Sequence, residues 1–151
     1  MADKILNLIK SLQKINPSQI VKRILEQNKE YVISLITKEQ IYKKGIKGDG
    51  SKITPTYSPA YQKLKERKGL YQGYVDLSLT GKYLKQWIAE FNTEDFEVYG
   101  VRESKGFDVA QGLKNRYSEG IEDFTKESLD AINELLIKNI PDEIRKELQN
   151  I

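Results

Sequence analysis

The residues of this chain with types suited to chemistry are carboxylates, serines and lysines; histidine and cysteine are absent. Acidic residues gather in two places, Glu90–Glu97 and Glu119–Asp130. A facing pair of carboxylates can run acid–base hydrolysis. These, however, fall on a turn and at helix starts, where negative charge complements the helix dipole. Without histidine the chain lacks the side chain that titrates near neutral pH and the commonest metal ligand. Without cysteine it has neither a disulfide framework nor a thiolate. No serine has a histidine or a placed lysine to activate it. The run Gly45-Ile46-Lys47-Gly48-Asp49-Gly50-Ser51-Lys52 lacks the spacing and the Gly-Lys-Ser/Thr ending of a phosphate loop. Asp49-Gly50-Ser51 begins like a calcium loop, but the later ligand positions fall on Ile53, Pro55 and Ser58, with Ala60 at the twelfth. A tight turn, with glycines supplying positive φ, is the better reading. These residues lead to the expectation of a protein that is not an enzyme and uses no cofactor and no metal.

The elements that position these residues are bounded by composition. A chain of 151 residues has the length of one domain, 1–151, with room for a core. With 38% hydrophobic and 31% charged residues it lies slightly to the polar side of the globular range, so it can fold alone while part of its surface awaits partners. No apolar run approaches the roughly 20 residues of a membrane span. The opening MADKILNLIKSLQKINP lacks a signal-peptide cleavage pattern, giving the expectation of an intracellular protein. The net charge of +3 hides an asymmetry: residues 1–75 carry 15 Lys/Arg and 6 Asp/Glu, or +9, and residues 76–151 carry 10 and 16, or −6. The basic half suits nucleic acid or an acidic partner. Alternatively it meets the acidic half of a neighbouring copy, a head-to-tail contact that generates rings.

Along the chain, Ile5, Leu8, Ile9 and Leu12 repeat at helical spacing, predicting an amphipathic helix over 3–14. Residues 1–15 then form a helical arm that docks on the core or packs on a neighbour. Asn16-Pro17-Ser18-Gln19 is a helix start. The stripe Ile20, Val21, Ile24, Leu25, Asn28, Tyr31, Val32, Leu35, Ile36 and Tyr42 predicts one long helix over 17–43, about 40 Å at 1.5 Å per residue. Its apolar face should lie on a sheet. Trp87, Ala89 and Phe91 alternate, as do Phe96, Val98 and Gly100, across Asn92–Asp95, which predicts a β-hairpin with Tyr99 and Val101 on its other face. Arg102–Gly106 reads as a polar turn, Asp108–Tyr117 as a short helix and 120–124 as extended. Thr125 opens a C-terminal helical segment, 125–151, that Pro141 should break or kink. The fold class is therefore α+β: a long N-terminal helix on a small antiparallel sheet containing a β-hairpin, with C-terminal helices.

The stretch Lys44–Trp87 organises the rest. Gly45 ends the long helix and Asp49-Gly50 makes the turn. Ser58 caps, and Pro59 opens, a short helix over 60–68 with Tyr57, Tyr61 and Leu64 on its inner face. Lys63, Lys65, Arg67 and Lys68 take the other side. With Lys43, Lys44, Lys47 and Lys52 they form a basic contact surface. Asp76-Leu77-Ser78-Leu79-Thr80-Gly81 then leads into an aromatic run ending at Trp87.

The order Gly45-x-x-x-Asp49-Gly50-x-x-Ile53, then Tyr57-Ser58-Pro59-x-Tyr61 with a lysine-rich tail, then Asp76-Leu77-x-x-Thr80-Gly81-x-Tyr83 resembles small virion proteins of tailed bacteriophages and prophages. These are head–tail junction proteins: tail-completion, neck or minor tail proteins of the virion-morphogenesis type. The match covers about a third of the chain, and the Leu-x-x-Thr-Gly step before an aromatic residue is its most telling part. Many relatives carry a Gly-rich turn and an Arg-Pro-Phe step after the hairpin; here Gly112, Arg116 and Tyr117 stand without the proline. The resemblance implies a structural protein of the virion, assembled in the bacterial host cytoplasm. Copies would form a ring of six or twelve that links the portal complex to the tail, touching other neck, portal or tail proteins and no membrane. It transfers no catalytic residue. The alternative is a non-specific nucleic-acid-binding protein.

Overall fold

The computed structural model describes residues 2–100, 102–104 and 107–150. It begins with helix α1 (Ala2–Lys14) and continues through α2 (Pro17–Gln27), α3 (Lys29–Ser34) and a π-helical segment (Leu35–Tyr42). After the central turns come α4 (Pro59–Arg67) and the single turn α5 (Lys82–Lys85). The hairpin β1 (Ile88–Phe91) and β2 (Phe96–Tyr99) follows, then the short pair β3 (Glu103–Ser104) and β4 (Phe107–Asp108). Helices α6 (Val109–Tyr117) and α7 (Lys126–Gln149) complete the chain. The class is α+β, as the sequence predicts.

The long N-terminal helix is not found. α1 has 13 residues, and the expected rod over 17–43 is divided. The first division is at Asn28, whose backbone leaves helical geometry (φ −113, ψ 25) while its side-chain amide donates to the Ile24 carbonyl at 2.8 Å. The Ile24 carbonyl thus accepts from both the backbone N, at 3.1 Å, and the side chain of Asn28, a local alternative that competes with regular helical bonding. The second change is the π-helical segment. Thr37 Oγ1 donates to the Ile33 carbonyl at 3.1 Å, competing with the backbone for that acceptor. Along this wider winding Gln40 and Ile41 are buried while Tyr42 is exposed; Tyr31, ahead of it on α3, is exposed as well.

The opposite correction applies to α7. Pro141 does not end it; the helix runs on to Gln149. Proline removes one backbone donor and crowds the preceding turn, a local loss. Contacts made by the distal part offset it: Arg23 on α2 reaches Glu143 at 3.2 Å and Glu147 at 2.8 Å. The 120–124 segment forms turns rather than an extended run.

The hairpin takes the expected register, Ala89 opposite Val98 and Phe91 opposite Phe96, closed by Asn92 N donating to Asp95 O. Ala89, Phe91 and Val98 are buried and face α2 and α3, while Ile88 is exposed. Val101, expected on the hairpin's outer face, lies outside the described residues, as does the Lys105-Gly106 end of the polar turn. One core cluster joins Leu25, Val32, Ile36, Ile53, Trp87 and Ile132. Each such aliphatic side chain, fully buried, contributes roughly 1.5–3 kcal/mol from removal of apolar surface.

Candidate functional site

Among the residues of the resemblance, Tyr57, Asp76 and Leu77 are joined by hydrogen bonds. Ser58 caps α4 by accepting from Tyr61 N, with Pro59 at the first helical position. α4 then turns differently from expectation: Leu64 is exposed and Lys65 fully buried. Tyr57, Tyr61 and Lys65 follow one another at intervals of four, the spacing of a single helix face. That spacing carried the signal, and the charge of Lys65 obscured it. Lys65 therefore leaves the predicted basic surface.

A buried cation needs a partner and satisfied donors. Lys65 Nζ donates to Asp76 Oδ1 and, at 2.6 Å, to the Ser78 carbonyl, and it stands 5.0 Å from the Tyr57 ring centroid. Asp76 is equally buried; it also accepts from Tyr57 OH at 2.9 Å and from Ser78 N at 3.1 Å. Tyr57 OH in turn accepts from Leu77 N at 2.9 Å. Burial first, then the Asp76 charge, pushes the Tyr57 phenol above its ordinary range, so it remains a hydrogen-bond donor. These bonds hold Leu77 at φ +51, a conformation that side chains other than glycine rarely adopt. The arrangement is a charged pin between α4 and the chain leading to the hairpin, with its polar groups spent on one another.

The other motif residues also serve the fold. Gly45 has φ +61, and a Cβ there would meet the Tyr74 ring and the Val75 carbonyl, so only glycine fits. Asp49 Oδ1 accepts from Ser51 N at 2.9 Å and Ser51 Oγ at 2.6 Å, closing the turn with Gly50 at φ +83. Thr80 Oγ1 accepts from Lys82 N, and Gly81, at φ +76, precedes α5. Trp87 is buried against the core, and its Nε1, like the Tyr83 hydroxyl, has no hydrogen-bond partner among the described residues.

Beside the pin lies a cavity of about 500 Å³. One wall is Tyr57, Ser58 and Tyr61; the other is the α6 face Val109, Leu113, Arg116 and Tyr117. Leu77 and Tyr83 close it. The helix itself was legible in the sequence; its meeting with α4 was not, because the two are far apart in the chain. The cavity is aromatic and apolar with one exposed guanidinium, a composition suited to gripping an apolar side chain rather than to reaction.

Of the two acidic clusters, Glu90, Asp95, Glu97, Glu119, Glu122 and Glu127 have side-chain partners. Arg102 joins Glu97 at 2.6 Å to Glu122 at 2.9 Å, and Glu90 accepts from Tyr99 OH. Among the described residues no three acids stand close enough to hold a metal ion. Of the predicted basic surface, Lys63, Arg67, Lys68, Lys43 and Lys52 are exposed, and Lys44 and Lys47 half-buried. Lys43 is paired with Glu39 and Lys44 with Glu127, while Lys52 donates to the Lys44 carbonyl.

A hub that the sequence did not announce is Gln40. Its Nε2 donates to the Asp123 carbonyl at 2.9 Å, and its Oε1 accepts from Thr125 N at 2.9 Å and Ser128 Oγ at 2.6 Å. It fastens the end of the π-helical segment to the start of α7, where Thr125 caps. Among the described residues no helix is long and apolar enough to cross a membrane. Compared with protein-family profiles, curated proteins and solved structures, the chain has no match.

Proposed function

We propose that this chain is a structural subunit of a tailed-bacteriophage virion, acting at the head–tail junction. Copies assemble in the host cytoplasm into a ring of six or twelve that joins the portal complex to the tail and touches other neck or tail proteins. The observation that carries this reading is the use made of the residues shared with such proteins. Tyr57, Asp76 and Leu77 lock to one another, and Gly45, Asp49, Ser58, Thr80 and Gly81 form turns and caps, so the shared pattern encodes a shape. Apolar side chains left bare on α1 and α7, Ile137 at 73% among them, fit a subunit that is completed by neighbours. The opposite charges of the two halves favour head-to-tail contact.

Negative-stain electron microscopy of the purified chain tests this. The expected result is closed rings of six or twelve copies; a monomer at every concentration and salt tried would contradict it. A second reading, non-specific contact with nucleic acid, rests on the exposed Lys43, Lys52, Lys63, Arg67 and Lys68. It predicts DNA retention that falls steeply with salt, and absence of retention at low salt removes it.

A further inference from the structure

We propose that α4 is a releasable strap: it opens as one unit with the 76–78 segment, driven by the strained backbone at Leu77, while the rest of the fold stays closed. This motion needs no second copy of the chain.

α4 is held unlike the other helices of the core. α2 is seated by buried Ile20, Ile24 and Leu25, and α7 by Ile132. Within α4 the buried side chain is Lys65, while Leu64 is 38% exposed. Among the described residues α4 has no principal packing contact with another helix or strand. Toward α6 it faces the cavity of about 500 Å³ rather than a packed surface. What fastens it is Lys65, bonded to Asp76 and to the Ser78 carbonyl, together with Tyr57 just ahead of its cap. A buried ion pair adds little net stability over apolar residues of the same volume; its best-attested use is to select one arrangement over another. Once parted, both charges regain water.

Behind this fastening the backbone is strained. Leu77 sits at φ +51, a conformation that costs free energy for any residue with a side chain. Three bonds keep it there: Tyr57 OH accepts from Leu77 N at 2.9 Å and from Asp76 N at 3.2 Å, and Asp76 Oδ1 accepts from Ser78 N at 3.1 Å. Two of the three come from the residue that leads into α4. Parting α4 removes them and lets Leu77 return to an ordinary φ, so the strain opposes the closed state and lowers the cost of opening. The chain after α4 can follow. Gly69 and Gly73, at φ +67 and +84, have no atom within 4 Å of where a Cβ would stand. Leu77, Tyr57 and Tyr61 line the cavity, so their departure bares the α6 face of Val109, Leu113 and Tyr117.

Native-state hydrogen exchange, read by mass spectrometry on peptides covering α4 and the 76–78 segment, tests this at urea concentrations below the unfolding transition. The expected result is that both exchange together, at least tenfold faster than α2 and α7 and with a weaker dependence on urea. Tyr57→Phe, which leaves Leu77 N without its acceptor, should speed both at least tenfold. Ile24→Val, in the core that stays closed, should speed α2 and α7 severalfold and leave α4 and 76–78 unchanged. Exchange of α4 at the α2 and α7 rate would overturn the proposal, as would an Ile24→Val effect equal in all four regions. So would an α4 that exchanges early while 76–78 stays protected with the core, which is fraying of a helix and not release of a strap. An unchanged rate in Tyr57→Phe would likewise contradict it.

Discussion

Helices α1 and α2 are neighbours in the chain and equally amphipathic in pattern, yet their apolar faces meet different fates. On α2, Ile20, Ile24 and Leu25 are 1–3% exposed, covered by the hairpin and α7. On α1 the corresponding stripe is about half exposed. Periodicity states that a face needs covering; it does not state what covers it. α2 finds its cover within the chain, helped by Arg23 reaching across to Glu143 and Glu147. For α1, we propose, the cover comes from the next copy.

The comparison breaks first where the chain is completed from within. Asp76→Ala leaves the Lys65 ammonium buried without its carboxylate, and the expected loss is about 3–5 kcal/mol in urea unfolding. A loss under about 1 kcal/mol would mean that the pin is not closed as described. Next come matched truncations of the two helices. Ile24→Ala should cost about 2–5 kcal/mol, whereas Ile9→Ala should cost the dilute monomer no more than about 0.5 kcal/mol. Equal losses would show that α1 is already covered within its own chain. The smallest effect is at the α2–α7 bridge. Bonding from Lys146, with further help from Arg23, holds the Glu143 carboxyl below its usual value of 4.5. A carboxylate whose folded pKa is lowered stabilises the fold above the unfolded pKa, and that stability is lost as pH falls. The melting temperature of Glu143→Gln should therefore decline less than that of the parent chain between neutral pH and pH below about 4.5. Parallel curves would show that the Glu143 carboxylate, held by Lys146 and Arg23, adds no pH-dependent stability to the fold.

The parts of the fold that were legible in the sequence were those set by short-range rules. The hairpin followed from alternation around Asn92–Asp95, and the starts of α2, α4 and α7 from Asn16, Ser58 and Thr125. Helix continuity was not legible. Asn28 and Thr37 carry hydrogen-bonding side chains that divert the backbone, and their effect depends on what is packed around them. At Pro141 the reverse held, because α2 supplies contacts beyond the proline that its own neighbours in sequence do not disclose. Of the candidate site, turns and caps were readable, while the burial of Lys65 was not, since a lysine on an amphipathic helix ordinarily faces water. Its partner Asp76 lies eleven residues away, across a loop whose path no local pattern specifies.

The central claim is that this chain is built to be completed by copies of itself. Its most direct test is the mass in solution, by light scattering, of the unaltered chain beside Ile9→Glu. The account predicts a closed multiple of 17.5 kDa for the first and 17.5 kDa for the second at the same concentration. A monomeric mass for both, or the same assembly for both, would contradict it.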